Sequence, residues 1–260
     1  MLKAGIYLDI ENLVRNGGRG MRFHVIRNLV EAQGATVLRA CAYLAVDKER
    51  EQRDPEYRRK GEDYRNVLRR QGYHVMQKEV RRFRDDEGNL VSKANADLDM
   101  AVDALLQSEN LDYLLLGTGD GDFLRLAQAL QNRGRRVDLL SFSNTSHQLR
   151  HQVDTYFPGY LVPGLLTVVL DGVTRHRALM HAVNEEKGYG FLTLRTGLGP
   201  LDFRDDIFCH ISDLRLGDLP VTNDEFSRLK ERTNIIEFEL QETPDGKVKA
   251  VNGSVLAPPW

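Results

Sequence analysis

Residues 114–123 read LLLGTGDGDF. The three consecutive leucines predict a strand that is buried on both faces, as in a parallel sheet. Small residues follow, and then Asp120 and Asp122, separated by one glycine. In a parallel sheet, ligands bind just outside the carboxyl ends of the strands. Two carboxylates at such a place repel each other unless a cation lies between them, and Mg²⁺ prefers oxygen ligands.

The residue spacing in this run can be tested against other known motifs. Asp and Gly favour turns, so a simple Asp-Gly turn without a function is one alternative. A dinucleotide-binding loop does not fit, because Asp122 stands where G-x-G-x-x-G has its last glycine. An EF-hand loop from Asp120 would need a glutamate near Gln131. A haloacid-dehalogenase-type motif would have threonine at Leu124. What remains is a pair of acids that needs further acids from elsewhere in the chain.

The composition is that of an ordinary globular protein. The chain has 260 residues, 41% of them hydrophobic, and a formal net charge of −2, so nucleic-acid binding would need local basic patches. The two cysteines, Cys41 and Cys209, argue against a disulfide scaffold or a cysteine-rich zinc site. The N-terminal run MLKAGIYLDIEN does not fit a signal peptide, and no apolar run approaches a membrane-spanning length. We therefore expect a soluble, cytoplasmic protein with no membrane partner.

Strand-like and helix-like runs alternate from Gly5 to about Ser141. The strand-like runs are GIYLDI, ATVLRACAYLAV, YHVMQKEV, LLLG and RRVDLLSF. This alternation predicts an α/β fold, with a mostly parallel sheet flanked by helices. On the helix near 94–108, Asp99 and Asp103 are expected to face solvent. The apolar residues at helical spacing, expected to form its buried face, are Leu98, Ala101, Val102, Leu105 and Leu106.

The sequence pattern changes after Tyr156. FPGYLVPG is rich in proline and glycine and indicates a domain boundary. Short strand-like runs then alternate with turn residues, which is typical of a small all-β barrel. We predict an α/β domain at 1–160, a linker at 161–173 and a barrel domain at 174–260.

Acids from two other segments can join Asp120 and Asp122. Asp9 ends the first predicted strand, so it approaches Asp120 if the two strands are neighbours. Asp97 lies at the start of the helix near 94–108, where the helix dipole alone also favours acids. Together these carboxylates could bind one or two Mg²⁺ or Mn²⁺ ions, and paired metals support phosphodiester hydrolysis. The basic run RRFR at 81–84 is the best candidate for a contact with a phosphate backbone.

Three motifs resemble the NYN domain family of the PIN-like nuclease superfamily, which includes LabA-like bacterial proteins. They are IYLDIENL at 6–13, K-x-x-x-D at 93–97 leading into LDMAVDALL, and LLLGTGDGDF at 114–123. The resemblance covers roughly residues 3–160.

The resemblance implies a metal-dependent ribonuclease fold. The acids that it implies as catalytic ligands of Mg²⁺ or Mn²⁺ are Asp9, Asp97, Asp120 and Asp122. It also implies supporting roles for Asn12 and Thr118 and a phosphate contact for Lys93. The family more often has serine at the position of Thr118, and threonine keeps the hydroxyl group.

The C-terminal half has its own aromatic pattern. In KGYGFL at 187–192 and DIFCHI at 206–211, ring-bearing residues alternate and therefore share one strand face. Such a face either stacks unpaired bases, each worth ~1–3 kcal/mol, or fills the barrel interior. With VKAVNGSVL, these motifs resemble a cold-shock domain over about residues 174–257, an OB-fold barrel that binds single-stranded RNA or DNA. The residues implied in binding are Lys187, Tyr189, Phe191, Phe208 and His210.

The chain departs from the cold-shock pattern in two places. Ala182 and Val183 stand where the family commonly has tryptophan and phenylalanine, so one stacking platform is missing. The stretch RTGLGPLDFRD between the two motifs is longer than usual, and we expect an exposed loop there.

These observations favour a Mg²⁺- or Mn²⁺-dependent ribonuclease whose barrel binds single-stranded RNA and whose acidic cleft cuts it. Single-stranded DNA as a ligand and a homodimer as the assembly stay open. The alternative is a non-catalytic RNA-binding or regulatory protein with a PIN-like fold. A small-molecule phosphohydrolase is a third class, and it would not explain the barrel.

Overall fold

A computed structural model describes residues 1–84, 90–93, 96–167, 169–170, 172–231, 234–244 and 246–256, with the backbone alone at 81–84, 90–93 and 170. The chain divides into two compact units, Met1–Phe157 and Pro158–Trp260. The division falls at the start of the Pro/Gly-rich run, and the finer domain limits stay a prediction. In the described ranges, no helix is long and apolar enough to cross a membrane.

Strands and helices alternate along the first unit. Its strands are β1 (Leu2–Asp9), β2 (Ala35–Val46), β3 (His74–Glu79), β4 (Arg81–Arg84), β5 (Leu90–Lys93), β6 (Tyr113–Gly117), β7 (Arg136–Ser141) and β8 (Thr155–Pro158). Its α-helices are α1 (Ile10–Leu13), α2 (Phe23–Ala32), α3 (Lys48–Arg53), α4 (Pro55–Arg70), α5 (Ala96–Gln107), α6 (Leu124–Asn132) and α7 (His147–Gln152). A π-helical segment, Val14–Gly18, follows α1, and a 3₁₀ turn, Gly121–Phe123, precedes α6.

The predicted parallel sheet flanked by helices is confirmed. Six strands form it in the order β3-β2-β1-β6-β7-β8, and the pairs from β3 to β7 are all parallel. The leucines of β6 are completely buried, as the apolar run predicts. Strand order runs outward in opposite directions from β1 and β6. These two strands therefore meet at the topological switch point, where the ligand crevice of such a sheet lies.

Local sequence explains where the helices begin and end. Pro55 is the first residue of α4, and the side chain of Asp54 caps the helix by accepting a hydrogen bond from the Tyr57 N–H at 2.9 Å. Proline at this position loses no helical hydrogen bond. Gly72 and Gly134 follow α4 and α6 with φ of 80° and 75°, a conformation that glycine adopts without steric cost.

Helix α5 is rotated relative to the prediction. Leu98 and Leu106 are 60% and 63% exposed, and Val102 is exposed beside them, so these three residues are not part of the buried face. The residues that are fully buried instead are Met100 and Ala104. Two of the predicted residues are partly buried against the core: Ala101 and Leu105.

Polar groups beneath α5 explain this rotation. The hydroxyl of the buried Tyr43 donates a hydrogen bond to Asp103 Oδ2 at 2.8 Å, and Lys78 Nζ lies 2.8 Å from Asp99 Oδ2. A buried phenol needs an acceptor, so the helix turns its acids toward the sheet. The expectation that Asp103 faces solvent is wrong, and Asp99 is half-exposed and paired.

The second unit consists mainly of short strands. They are β9 (Val169–Leu170), β10 (Val173–Thr174), β11 (His176–Asn184), β12 (Tyr189–Arg195), β13 (Phe203–His210), β14 (Leu214–Leu216), β15 (Leu219–Pro220), β16 (Ile236–Glu242) and β17 (Val248–Val255). The one α-helix in its described residues is α8 (Asn223–Arg228).

Five of these strands close into a barrel. They follow the order β13-β12-β11-β16-β17, and β17 pairs with β13 again. The interior contains Met180, Leu192, Ile207 and Phe238, all completely buried. The predicted small barrel is confirmed, and five-strand closure is consistent with an OB-fold. The long connection between β12 and β13 is exposed around Leu201, as expected.

Candidate functional site

The carboxyl ends of β1 and β6 place two acids on adjacent turns. Asp9 ends β1, Leu8 pairs with Gly117 at the end of β6, and Asp120 follows three residues later. Asp9 caps α1, its Oδ1 accepting a hydrogen bond from the Asn12 N–H at 3.0 Å. Asp120 caps the next turn in the same way, through Oδ1 and the Asp122 N–H at 3.0 Å. Both carboxylates are therefore oriented by backbone of their own turn.

Asn12 and Thr118 connect these two turns. Asn12 Oδ1 accepts a hydrogen bond from the Gly119 N–H at 2.7 Å. The hydroxyl of the completely buried Thr118 donates to Asp9 Oδ2 at 3.5 Å and accepts from the Asp120 N–H at 3.2 Å. These bonds connect the turns that carry Asp9 and Asp120, and the supporting roles of Asn12 and Thr118 in a reaction stay a prediction.

The two turns and the start of α5 concentrate negative charge. Asp9 is only 8% exposed, and its burial raises its pKa to about 6. The hydrogen bond from Asn12 opposes this rise, and the charges of Asp97, Glu11 and Asp120 add to it. Burial also raises the pKa of Asp97, with Asp120, Asp122 and Glu11 as further causes. Neighbouring carboxylates with raised pKa values are typical of a site that binds a cation.

The other predicted residues of this site lie in different positions. Asp97, in the first turn of α5, lines the same cleft as Asp9 and Asp120. Asp122 is exposed at the edge, where its charge acts on Asp97. Lys93 ends β5, and its side chain lies outside the described residues, as do those of the RRFR run at 81–84.

The cleft has a volume of about 980 Å³. Acidic side chains, the guanidinium group of Arg15 and a set of neutral polar residues line it. This neutral set includes Asn16, Asn144, Thr145 and Ser146. Asn144 Nδ2 donates to Asn16 Oδ1 at 3.1 Å, and the Ser146 N–H donates to the Gly119 carbonyl at 2.8 Å. The sequence prediction missed this neutral set, although the run SNTS at 143–146 begins two residues after the end of β7 and so lies at the same sheet edge.

The donor set fits a hard divalent cation in its chemistry. Asp9, Asp97 and Asp120 offer carboxylate oxygens, which Mg²⁺ and Mn²⁺ prefer. Across the described ranges, no three His, Cys, Asp or Glu side chains are grouped closely enough to hold a metal ion by themselves. Mg²⁺ commonly binds through one or two carboxylates and keeps several waters or substrate phosphates. The residues present therefore fit a partly hydrated ion, and the four-acid site stays a prediction.

The barrel carries an aromatic cluster on its outer surface. The ring centroids of Tyr189, Phe191 and Phe208 lie 5.4–6.1 Å apart, and Phe191 pairs directly with Phe208 across β12 and β13. These rings are partly exposed, whereas the alternating Ile207 and Cys209 are completely buried. The interpretation in which the rings fill the barrel interior is therefore excluded.

A groove of about 660 Å³ lies against these rings. Lys247 and Lys249 line it together with the aromatic cluster. The sequence prediction missed both lysines, because β17 reaches the rings only through its pairing with β13 (Phe208 with Lys249). Of the other predicted residues, His210 pairs with Tyr189, and its Nδ1 lies 2.7 Å from Ser212 Oγ. Lys187 is exposed in the turn before β12.

Comparisons with known proteins identify similar sequences and a similar solved structure. The NYN domain family matches residues 3–163. The "Low amplitude and bright protein LabA" of Synechococcus elongatus is 30% identical over 107 residues, which cover 40% of this chain and 56% of that protein. The chain thus matches about half the length of this curated relative. A protein of unknown function from Vibrio parahaemolyticus has a solved structure that is 23% identical, with a TM-score of 0.49, covering 66% of this chain and 96% of that one. Because the family match spans more than half of its residues, the chain belongs to the NYN domain family, within the PIN-like nuclease superfamily.

Proposed function

We propose that the chain is a Mg²⁺- or Mn²⁺-dependent ribonuclease that hydrolyses phosphodiester bonds of single-stranded RNA. The observation that supports this most is the meeting of Asp9, Asp97 and Asp120 in one cleft. These acids come from three separate segments and converge at the switch point of a parallel sheet. Membership of a nuclease superfamily supports the same reaction class.

A divalent cation bound by these acids would polarise the phosphoryl oxygens and lower the pKa of an attacking water. The chain itself contributes preorganisation. Asp9 and Asp120 already accept hydrogen bonds from their own turns, so both carboxylates are oriented before any ligand binds. In the reaction, a water oxygen bonds to phosphorus, the bond to the leaving sugar oxygen breaks, and a water proton ends on that oxygen. The neutral residues Asn16, Asn144 and Ser146 can orient the adjoining nucleotide.

The barrel supplies the second half of the proposal, a cold-shock-like domain that binds the RNA. Unstacked bases would lie on Tyr189, Phe191 and Phe208, as they do on exposed aromatic residues in single-strand-binding proteins. Lys247 and Lys249 line the same groove and are suited to phosphate contacts.

We also propose a cytoplasmic location, because both cysteines are free and buried, which suits a reducing compartment.

The test is cleavage of end-labelled single-stranded RNA by the full chain, in Mn²⁺ and in excess chelator. Cleavage should require the metal, and Asp120→Asn should lower the rate by about 100-fold or more. Asp63→Asn is the matched control, since Asp63 is an exposed acid on α4. Absence of metal-dependent cleavage, or equal cleavage by Asp120→Asn and wild type, would contradict the proposal.

One observation favours the alternative of a non-catalytic RNA-binding protein. No three candidate ligands in the described residues come close enough to hold an ion unaided. In that case the same assay would leave the RNA intact with every divalent metal.

A further inference from the structure

Every fourth residue on the inner face of α5 contacts a polar group of the sheet. Lys78 Nζ donates to Asp99 Oδ2 at 2.8 Å, Tyr43 Oη to Asp103 Oδ2 at 2.8 Å, and Tyr7 Oη to Gln107 Oε1 at 3.1 Å. The three partners come from β3, β2 and β1, which are adjacent in the sheet. We call this set of contacts the polar ladder.

The spacing of the polar ladder follows from helix and sheet geometry. Residues four apart lie on one helix face, and about 6 Å separates them along the axis. Neighbouring strands are about 4.8 Å apart. A helix that crosses three strands obliquely can therefore present one polar residue to each strand. Asp97, the acid of the cleft, lies in the first turn of the same helix.

The rungs of the ladder differ in strength. Lys78 and Asp99 have side chains 42% and 41% exposed, and an exposed pair of this kind contributes little. Tyr43 is fully buried, and burial raises its pKa well above the ordinary value, so its phenol stays a neutral donor to Asp103. Tyr43 also pairs in register with Asp9 and lines the cleft. The contact between Tyr43 and Asp103 is therefore the strong contact of the polar ladder that lies nearest the acids of the cleft.

We infer that Asp103, held by Tyr43, is a positioning residue that fixes the first turn of α5 and thereby Asp97 over the cleft. The role of Asp97 itself rests on the proposed function. Within the first turn, residues 96–99, apolar packing against the core is limited to Ala96, which is only partly buried. Asp103 thus acts through the helix and does not touch the substrate.

A matched pair of variants tests the docking without metal or RNA. Tyr43→Phe and Tyr7→Phe each remove one phenol hydroxyl from a buried ring, at the middle and the far end of the ladder. In the metal-free full chain, Tyr43→Phe should raise the hydrogen-exchange rate of amides 100–104 about tenfold. A change of this size corresponds to the loss of one hydrogen bond of this kind. Tyr7→Phe should leave these amides within about twofold of wild type. Equal quickening in both variants would mean that only overall stability had changed, and would overturn the inference.

Variants of Asp103 separate position from charge. Asp103→Asn keeps an acceptor oxygen for Tyr43, so Mn²⁺ affinity, measured by calorimetry, should stay within about threefold of wild type. Asp103→Leu removes the acceptor and should weaken Mn²⁺ binding about tenfold. An equal loss in Asp103→Asn would show that the charge of Asp103 matters, and the inference would be wrong. If the wild-type chain binds no Mn²⁺, the proposed function fails, and the hydrogen-exchange comparison still decides the docking.

Discussion

The buried carboxylate of Asp9 suits a cation site, but its negative charge makes the folded chain less stable at neutral pH. Burial and neighbouring acids raise its pKa from 3.8 to about 6 in the folded chain. A carboxyl whose pKa is raised on folding binds its proton more tightly in the folded state. The protonated Asp9 carboxyl therefore contributes its full stabilisation of the folded chain below pH 4, and this contribution is lost as the pH rises through 6. The rise corresponds to roughly 3 kcal/mol, an order-of-magnitude figure.

Asp9→Asn should therefore stabilise the metal-free protein at neutral pH, because the amide cannot ionise. The gain in unfolding free energy should be near zero at pH 4, grow up to pH 7, and reach about 1–3 kcal/mol. Urea unfolding in excess chelator at several pH values measures it, with Asp63→Asn as the control that shows no such pH-dependent gain. Mn²⁺ should then stabilise wild type and not the variant, since ligand binding favours the folded state by mass action. A variant no more stable than wild type at pH 7.5 would contradict the raised pKa.

The acids could be predicted from sequence because strand ends can be read locally. Asp9 and Asp120 each follow a short apolar run, and parallel strands bring their carboxyl ends to one edge. The position of Asn144, which follows β7, could have been predicted by the same argument, but an asparagine does not by itself indicate a functional site. The position of Lys249 beside the rings could not be predicted, because it depends on the pairing of β17 with β13. That pairing closes the barrel and cannot be read from any local pattern.

At the scale of elements, α5 shows where periodicity fails. Its apolar residues at helical spacing correctly predict a helix, but not which side of it faces the sheet. The side is decided by Tyr43 and Tyr7, whose buried hydroxyls need acceptors that Asp103 and Gln107 supply. These partners lie more than 50 residues away in sequence. A hydrophobic pattern within one helix contains no information about them.

The rotation of α5 predicts opposite costs for two apolar substitutions. Leu106→Gln should change the unfolding free energy by no more than about 0.5 kcal/mol, because Leu106 is largely exposed. Met100→Ala should cost about 2–5 kcal/mol, because Met100 is completely buried. Urea unfolding of both variants measures the two values under one condition. Similar costs for the two changes would contradict the observed rotation.

At the scale of the whole molecule, charge separates binding from cutting. The net charge is only −2, and the acids of the cleft repel phosphates until a cation neutralises them. The barrel instead combines exposed rings with Lys247 and Lys249. On the proposed function, a long RNA gains affinity from the barrel, and this raises its effective concentration at the acids of the same chain. A very short RNA gains nothing from it.

The aromatic variants should therefore separate KM from kcat. With a long single-stranded RNA, Phe208→Ala should raise KM about 5- to 100-fold, since stacking of one base is worth ~1–3 kcal/mol, and leave kcat unchanged. With a dinucleotide, both constants should match wild type. Phe203→Ala is the control, because this exposed ring lies on the same strand and is stacked by Arg195, outside the groove. Steady-state cleavage of both substrates measures the constants. A KM for the long RNA that Phe208→Ala leaves unchanged would remove the barrel from substrate binding, whereas a fall in kcat on both substrates would give the ring a role in the cut itself.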